Sequence, residues 1–247
     1  MDNRRRLSKK IFIAVIYAAV FGIVGTGIYF LVRPTPVPPP PPKPTIFPIE
    51  SVWAQSFISG PGVYSAAAKI KNPNTGFGAS YFGYTFNLYD TGGNLLGVKS
   101  GKSFILPGES KYLIEAGINN LPRSPVRVDL SFSEPVWNEV KNFSGVDLAV
   151  GNSSYGKGAS GSGKFFMVDS VASNSTSYDL GKVYITAVVF DASDLPITVN
   201  QTILENLKSK ERRLFSLAWF SPFPGTAAKV DISISTNLWE TPELLGQ

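Results

Sequence analysis

Val126-Arg127-Val128-Asp129-Leu130-Ser131-Phe132 alternates apolar and polar side chains, and Val230-Asp231-Ile232-Ser233-Ile234 does so again about one hundred residues later. A period of two places successive side chains on opposite faces, as a half-buried strand requires. Turn signals punctuate the chain on either side: Asn72-Pro73-Asn74, Gly92-Gly93-Asn94, Pro107-Gly108 and Pro224-Gly225. Beyond Ile46 there is no amphipathic segment of helical length. Short strands at this spacing predict an all-β sandwich or barrel rather than βαβ units.

The pattern repeats at an offset of about one hundred. Phe86-Asn87-Leu88-Tyr89-Asp90 finds a counterpart in Ala187-Val188-Val189-Phe190-Asp191, Leu106 in Leu207, Trp137 in Trp239, and Asn74 falls near Asn174. Two copies of this size suit two tandem immunoglobulin- or fibronectin-like β-sandwiches. The expected domains are residues 49–141 and 144–241, with a seam near Asn142 to Gly145. Each copy is large enough to be held by its own core. Within the first, Phe86 and Leu88 should face that core while Asn87 and Tyr89 face away. The Asp90 carboxylate should cap the turn amides of Gly92 and Gly93. Pro107-Gly108 fits the centre of a type II turn.

Phe86 to Asp90 reads FNLYD. With Asn72-Pro73-Asn74, the Gly92-Gly93 pair and Leu106-Pro107-Gly108-Glu109-Ser110, this segment resembles the FxLYD domain. It is also similar to the water-stress and hypersensitive-response (WHy) domain of group-two late-embryogenesis-abundant proteins. The resemblance covers Ile49 to about Glu139 and implies an immunoglobulin-like sandwich without a catalytic site. In that reading Asn72, Pro73, Asn74, Phe86, Leu88, Tyr89, Asp90, Pro107 and Gly108 are structural signature residues. The second copy keeps Asp191 and the apolar skeleton but lacks the NPN, the glycine pair and the PG turn.

The first forty-odd residues have another character. A basic tail, residues 1–10, carries Arg4, Arg5, Arg6, Lys9 and Lys10. Residues 11–32 contain no charge and, as a helix, extend roughly 33 Å, close to a bilayer's hydrocarbon thickness. Only Arg33 follows directly, so the positive-inside rule predicts a cytoplasmic N-terminus and extracytoplasmic C-terminal domains. A cleaved signal peptide is the rival, but its apolar region is shorter and ends in small residues. Ala14, Ala18, Gly22 and Thr26 recur every fourth residue, a spacing that suits close approach of the same helix from a second copy of the protein, as in a homo-oligomer. Small residues are also common in spans, and no GxxxG is present. Residues 33–48 are proline-rich and predict a polyproline spacer of roughly 45 Å.

Composition then removes function classes. The chain has 23 basic and 18 acidic residues, net +5. Seven of the basic residues and one acidic residue precede Thr45, so the remainder is close to neutral. Nucleic-acid binding needs a basic surface and is not expected. The cluster Lys208, Lys210, Arg212 and Arg213 reads as a solvated strand face. There is no cysteine, hence no disulfide and no thiolate site. There is no histidine, which removes the commonest general base and metal ligand. Gly156 to Gly161 spells GxGxxG, and Gly158 to Lys164 nearly spells a phosphate loop. A strand-like Phe165-Phe166-Met167-Val168 follows where a helix N-terminus is needed, so Gly151 to Gly163 reads as a flexible hairpin loop. Asp191 and Asp194 read as turn caps rather than a metal pair. Sequons at Asn142, Asn152, Asn174 and Asn200 matter only in a glycosylating host.

No acid, base or nucleophile constellation remains, so the chain is expected to be no enzyme and to carry no cofactor. One contact patch stands out, Trp219, Phe220 and Phe223 in a proline-containing loop. The opposing reading buries Trp219 and Phe220 at a strand end and Phe223 in the sandwich end. The expected protein is membrane-anchored, exported and noncatalytic. It binds or spaces protein partners in an envelope or cell-surface assembly, with a stress-protective WHy-like role as the alternative.

Overall fold

A computed structural model describes residues 2–33, 44–241 and 243–244. The chain divides into two units, Met1–Thr45 and Ile46–Gln247. The first contains helix α1, Asp2–Val32. Its segment Arg5–Val32, 28 residues, is long and apolar enough to cross a membrane. Nothing inside it breaks the backbone ladder, and the hydroxyl of Thr26 satisfies itself on Gly22 O at 2.6 Å. The stripe Ala14, Ala18, Gly22 and Thr26 lies exposed along this helix. Most of the proline tract, residues 34–43, lies outside the described residues.

The second unit is almost entirely β. In chain order its strands are β1 (Glu50–Gly60), β2 (Val63–Lys71), β3 (Phe77–Tyr89), β4 (Leu95–Ile105), β5 (Ser110–Ile118), β6 (Arg127–Phe132) and β7 (Val136–Glu139). There follow β8 (Leu148–Lys157), β9 (Phe166–Asn174), β10 (Leu180–Phe190), β11 (Pro196–Leu207), β12 (Arg212–Trp219) and β13 (Lys229–Ser235). All pairings are antiparallel. The sheets run β1-β2-β5, β4-β3-β6 with β7 also on β3, β12-β9-β8, and β11-β10-β13.

Alternation sets the register, as on β3, where Phe82, Tyr84, Phe86 and Leu88 are buried and the residues between them are not. One apolar cluster joins sheets β1-β2-β5 and β4-β3-β6 through Ile70, Phe82, Phe86, Leu88, Ile105 and Leu113. A second joins the other two sheets through Val168, Val183, Ile185, Val189, Leu217 and Trp219. Val126 stands apart from the alternation expected of it, since β6 begins at Arg127 and Val126 is 59% exposed. Gly151 to Lys157 belongs to strand β8, so only the tip between β8 and β9 is loop. That tip closes through Gly158 N on Phe165 O at 3.2 Å and leads into a strand, not a helix N-terminus.

A third cluster was not anticipated. Phe57, Ala67, Tyr112 and Ile114 from β1, β2 and β5 meet Val188 and Val199 from β10 and β11. Strands β2 and β10 are therefore buried on both faces: Ala66 and Ala68 face one cluster and Ala67 another, as do Ala187 and Val189 against Val188. The two halves of the β body are thus not held by separate cores alone. Polar contacts reinforce this contact. Tyr112 Oη donates to Asp231 at 2.5 Å, Ser235 Oγ to Glu109 at 2.6 Å, and Gln55 Nε2 to Pro196 O at 2.8 Å. A fourth cluster sets Phe104 and Leu106 against Leu238, with Phe143 and Val146 of the β7–β8 connection packed on it.

Candidate functional site

Asn72, Asn74 and Asp90 form a hydrogen-bonding frame. Asn72 is fully buried, and its amide nitrogen donates to Phe77 O at 2.7 Å and Leu106 O at 2.8 Å. Its oxygen accepts from Asn74 N at 3.0 Å and Asn74 Nδ2 at 2.9 Å. Asn74 in turn imitates a strand neighbour for the incoming chain: its Oδ1 accepts from Phe47 N and its Nδ2 donates to Phe47 O, both at 2.8 Å. Asp90 closes the β3–β4 turn. Its Oδ1 accepts from Gly92 N and Asn94 N, both at 2.9 Å, while Gly93 N bonds the Asp90 backbone carbonyl instead of the carboxylate. Arg123 sits 3.0 Å from its other oxygen. These bonds, those from Asn94 foremost, hold the Asp90 carboxyl below the ordinary carboxylate range. Its stabilising contribution is present above the unfolded value of about 3.9 and is lost as pH falls through the lower folded value. Asp90→Asn should flatten the fall of the melting temperature below about pH 4.

The second half repeats this frame with different residues. Asn174 is buried; it donates to Tyr178 O, Leu207 O and Lys208 O and accepts from Thr176 N and Thr176 Oγ1. The counterpart of Asn174 is therefore Asn72, not Asn74, and Thr176 stands where the first half has Asn74. Glu109 accepts from Leu106 N and Glu211 from Lys208 N, each at 2.7 Å. Asp191 accepts from Ser193 N and Leu195 N, as Asp90 does from its own turn. Gly108 has φ +67° at the third position of a turn closed by Glu109 N on Leu106 O, as a type II turn requires. Lys210 occupies the matching place at φ +60°. Lys210→Gly should therefore stabilise the fold by about 0.5 kcal/mol in urea unfolding, after loss of its exposed contact to Ser175 O.

Trp137 and Trp239 do not correspond. Trp137 lies on β7 opposite Ala79, whereas Trp239 sits in a one-turn 3-10 helix, Leu238–Glu240, and packs against Gly78 of β3. The proposed aromatic patch is divided: Trp219 and Phe223 are buried, with Trp219 Nε1 on Val199 O at 3.2 Å, and Phe220 alone is exposed. The basic cluster is largely paired. Lys208 reaches Asp179 at 2.9 Å, Arg213 reaches Glu211 at 2.8 Å, and Lys210 bonds Ser175 O. Of the sequons, Asn174 is closed to modification by its burial, while Asn142 and Asn152 are exposed.

A cleft of about 730 Å³ lies between β3, β4 and β5 on one side and β10, β11 and β13 on the other. Tyr84 Oη donates to Glu115 Oε1 at 2.9 Å on the first wall. Burial, reinforced by the Glu115 charge, pushes the Tyr84 hydroxyl up and keeps it protonated. Gly101 leaves room for this pair, since a Cβ there would meet Tyr84 Oη and Glu115 Oε1 and force one of them to shift. Lys111 is buried on the same wall. Its Nζ donates to Phe104 O at 3.1 Å and stands 3.6 Å from the Phe104 ring centroid. Burial pulls its pKa down, with Glu109 opposing. Opposite stand Tyr184, Thr186, Gln201 and Ser233. Sequence reasoning missed this cleft, because its walls come from segments far apart in the chain. No group of three or more carboxylates suited to a metal occurs among the described residues.

No family model matches this chain, and no curated protein sequence matches it.

Proposed function

We propose that this chain is a single-pass membrane protein with a cytoplasmic N-terminus and an exported β body that acts as a noncatalytic binding or scaffold module. In this reading the body is two tandem immunoglobulin-like sandwiches, the first FxLYD-like and the second a divergent copy. The observation that carries it is the repeated asparagine frame: Asn72 and Asn174 hold equivalent carbonyls, and Glu109 and Glu211 hold equivalent turns. Asp90, Glu109, Asp191 and Glu211 serve turns, and Glu109 and Asp231 also serve the contact between halves, which suits a rigid presenter of surfaces. Outer faces also differ between the halves. Val188 on β10 meets the first half, while its counterpart Asn87 on β3 is polar and partly exposed. Tyr112 on β5 meets the second half, while Leu214 on β12 is exposed, opposite Val171 and beside the Ser216–Asp169 pair.

The test is in-cell crosslinking of the full chain through residues of the exported body. A reproducible protein partner, lost when the body is unfolded by substitution, is the expected result. Absence of any partner, together with suppression of aggregation of unrelated client proteins by the purified chain, would overturn this reading in favour of a stress-protective role.

A further inference from the structure

We propose that the cleft between the two halves binds a saccharide, a short neutral glycan segment. This rests on the reading of the body as an exported binding module. Thr186, Gln201 and Ser233 lie directly opposite one another on β10, β11 and β13, and all three line the cleft. They therefore form a row of polar side chains across three adjacent strands, spaced by about 4.8 Å per strand. Neither their side chains nor the Tyr184 hydroxyl has a hydrogen-bond partner among the described residues. The other wall supplies the Tyr84–Glu115 pair and Lys111; among the described residues one Glu115 carboxylate oxygen is engaged and the Lys111 ammonium makes one hydrogen bond.

Charge decides the ligand class. Lys102 and Lys111 face Glu115 and Glu240 around the same cleft, two cations against two carboxylates. That balance suits neither a polyanion nor a cation. The neutral hydroxyls and amide of the β10-β11-β13 wall instead match a ligand that both donates and accepts many hydrogen bonds. The partly exposed Tyr184 ring, backed by the buried Phe104 ring 5.6 Å away, gives its C–H faces an aromatic surface. The cleft volume lies within the range of about 300–1,000 Å³ typical of small-ligand sites.

The test is titration of maltotriose, cellotriose and chitotriose into the full chain, purified in an amine-oxide detergent that carries no sugar, read by saturation-transfer NMR and calorimetry. Saturable binding of at least one trisaccharide is expected. Gln201→Ala and Ser233→Ala should each weaken it by about threefold to tenfold, as loss of a neutral hydrogen bond implies. Both sites lie away from the apolar clusters, so melting should be unchanged, and Phe220→Ala, outside the cleft, should leave binding intact. No binding of any of the three sugars at 10-fold excess over about 1 mM, or undiminished binding in both cleft variants, overturns the proposal. A chain that still captures its protein partner in cells but binds no sugar overturns this inference and leaves the proposed function standing.

Discussion

Leu88→Asp is expected to leave the first half of the β body unfolded, whereas Asn87→Asp one residue away should be tolerated. Leu88 is fully buried on β3, between Gly97 of β4 and Val128 of β6. A carboxylate there loses the leucine's contacts and has no partner for its charge, a loss of about 4–5 kcal/mol or more. That is comparable with the whole stability of a typical domain, about 5–15 kcal/mol. Asn87 faces the other way, opposite Asp129. A second carboxylate there adds a like-charge pair across strands, costing at most about 1 kcal/mol. Far-ultraviolet circular dichroism and urea unfolding separate the two outcomes. Equal unfolding midpoints would refute the facing of β3.

Asn72→Asp and Asn174→Asp are expected to cost about 3–5 kcal/mol each, though the substitutions are isosteric. In each case the amide nitrogen points at backbone carbonyls, two around Asn72 and three around Asn174. A carboxylate oxygen in its place removes those bonds and sets negative charge against carbonyl dipoles. Burial and these dipoles raise the folded pKa of the introduced carboxyl above its unfolded value. The destabilisation relative to the parent should therefore be full near neutral pH and ease as pH falls through the raised folded value. Urea midpoints at pH 7 and pH 5 test both magnitude and sign. A loss below about 1 kcal/mol at either position would mean that the two asparagines do not bear the frame.

The strands of the β body were legible because one face of most of them meets an apolar cluster and the other meets water. Phe86 and Leu88 are buried as their spacing predicts, while Asp90 caps its turn through Gly92 and Asn94 rather than through Gly92 and Gly93. The contact between halves was written more faintly. Ala66-Ala67-Ala68 and Ala187-Val188-Val189 are unbroken apolar runs, the pattern of a strand covered on both sides. The clearest single mark is the change from Asn87 on β3 to Val188 at the matching position on β10. The asparagine frame was half legible: the role of Asn74 passes to Thr176, because either side chain can bond the amide oxygen two residues earlier. Trp219 and Phe223 were ambiguous because aromatic residues near proline serve cores and surfaces alike. The cleft left no local pattern, since Lys111 and Glu115 on β5 meet Tyr184 and Gln201 only after the chain has folded.

The absence of cysteine from the chain permits the most direct test of an anchored, exported β body. A single cysteine is introduced at an exposed site in each unit, Ser8→Cys in α1 and Leu214→Cys in β12. Intact cells are then treated with a maleimide that cannot cross the membrane carrying the protein. L214C should be labelled in intact cells and S8C only after lysis. Labelling of S8C with protection of L214C would contradict the account.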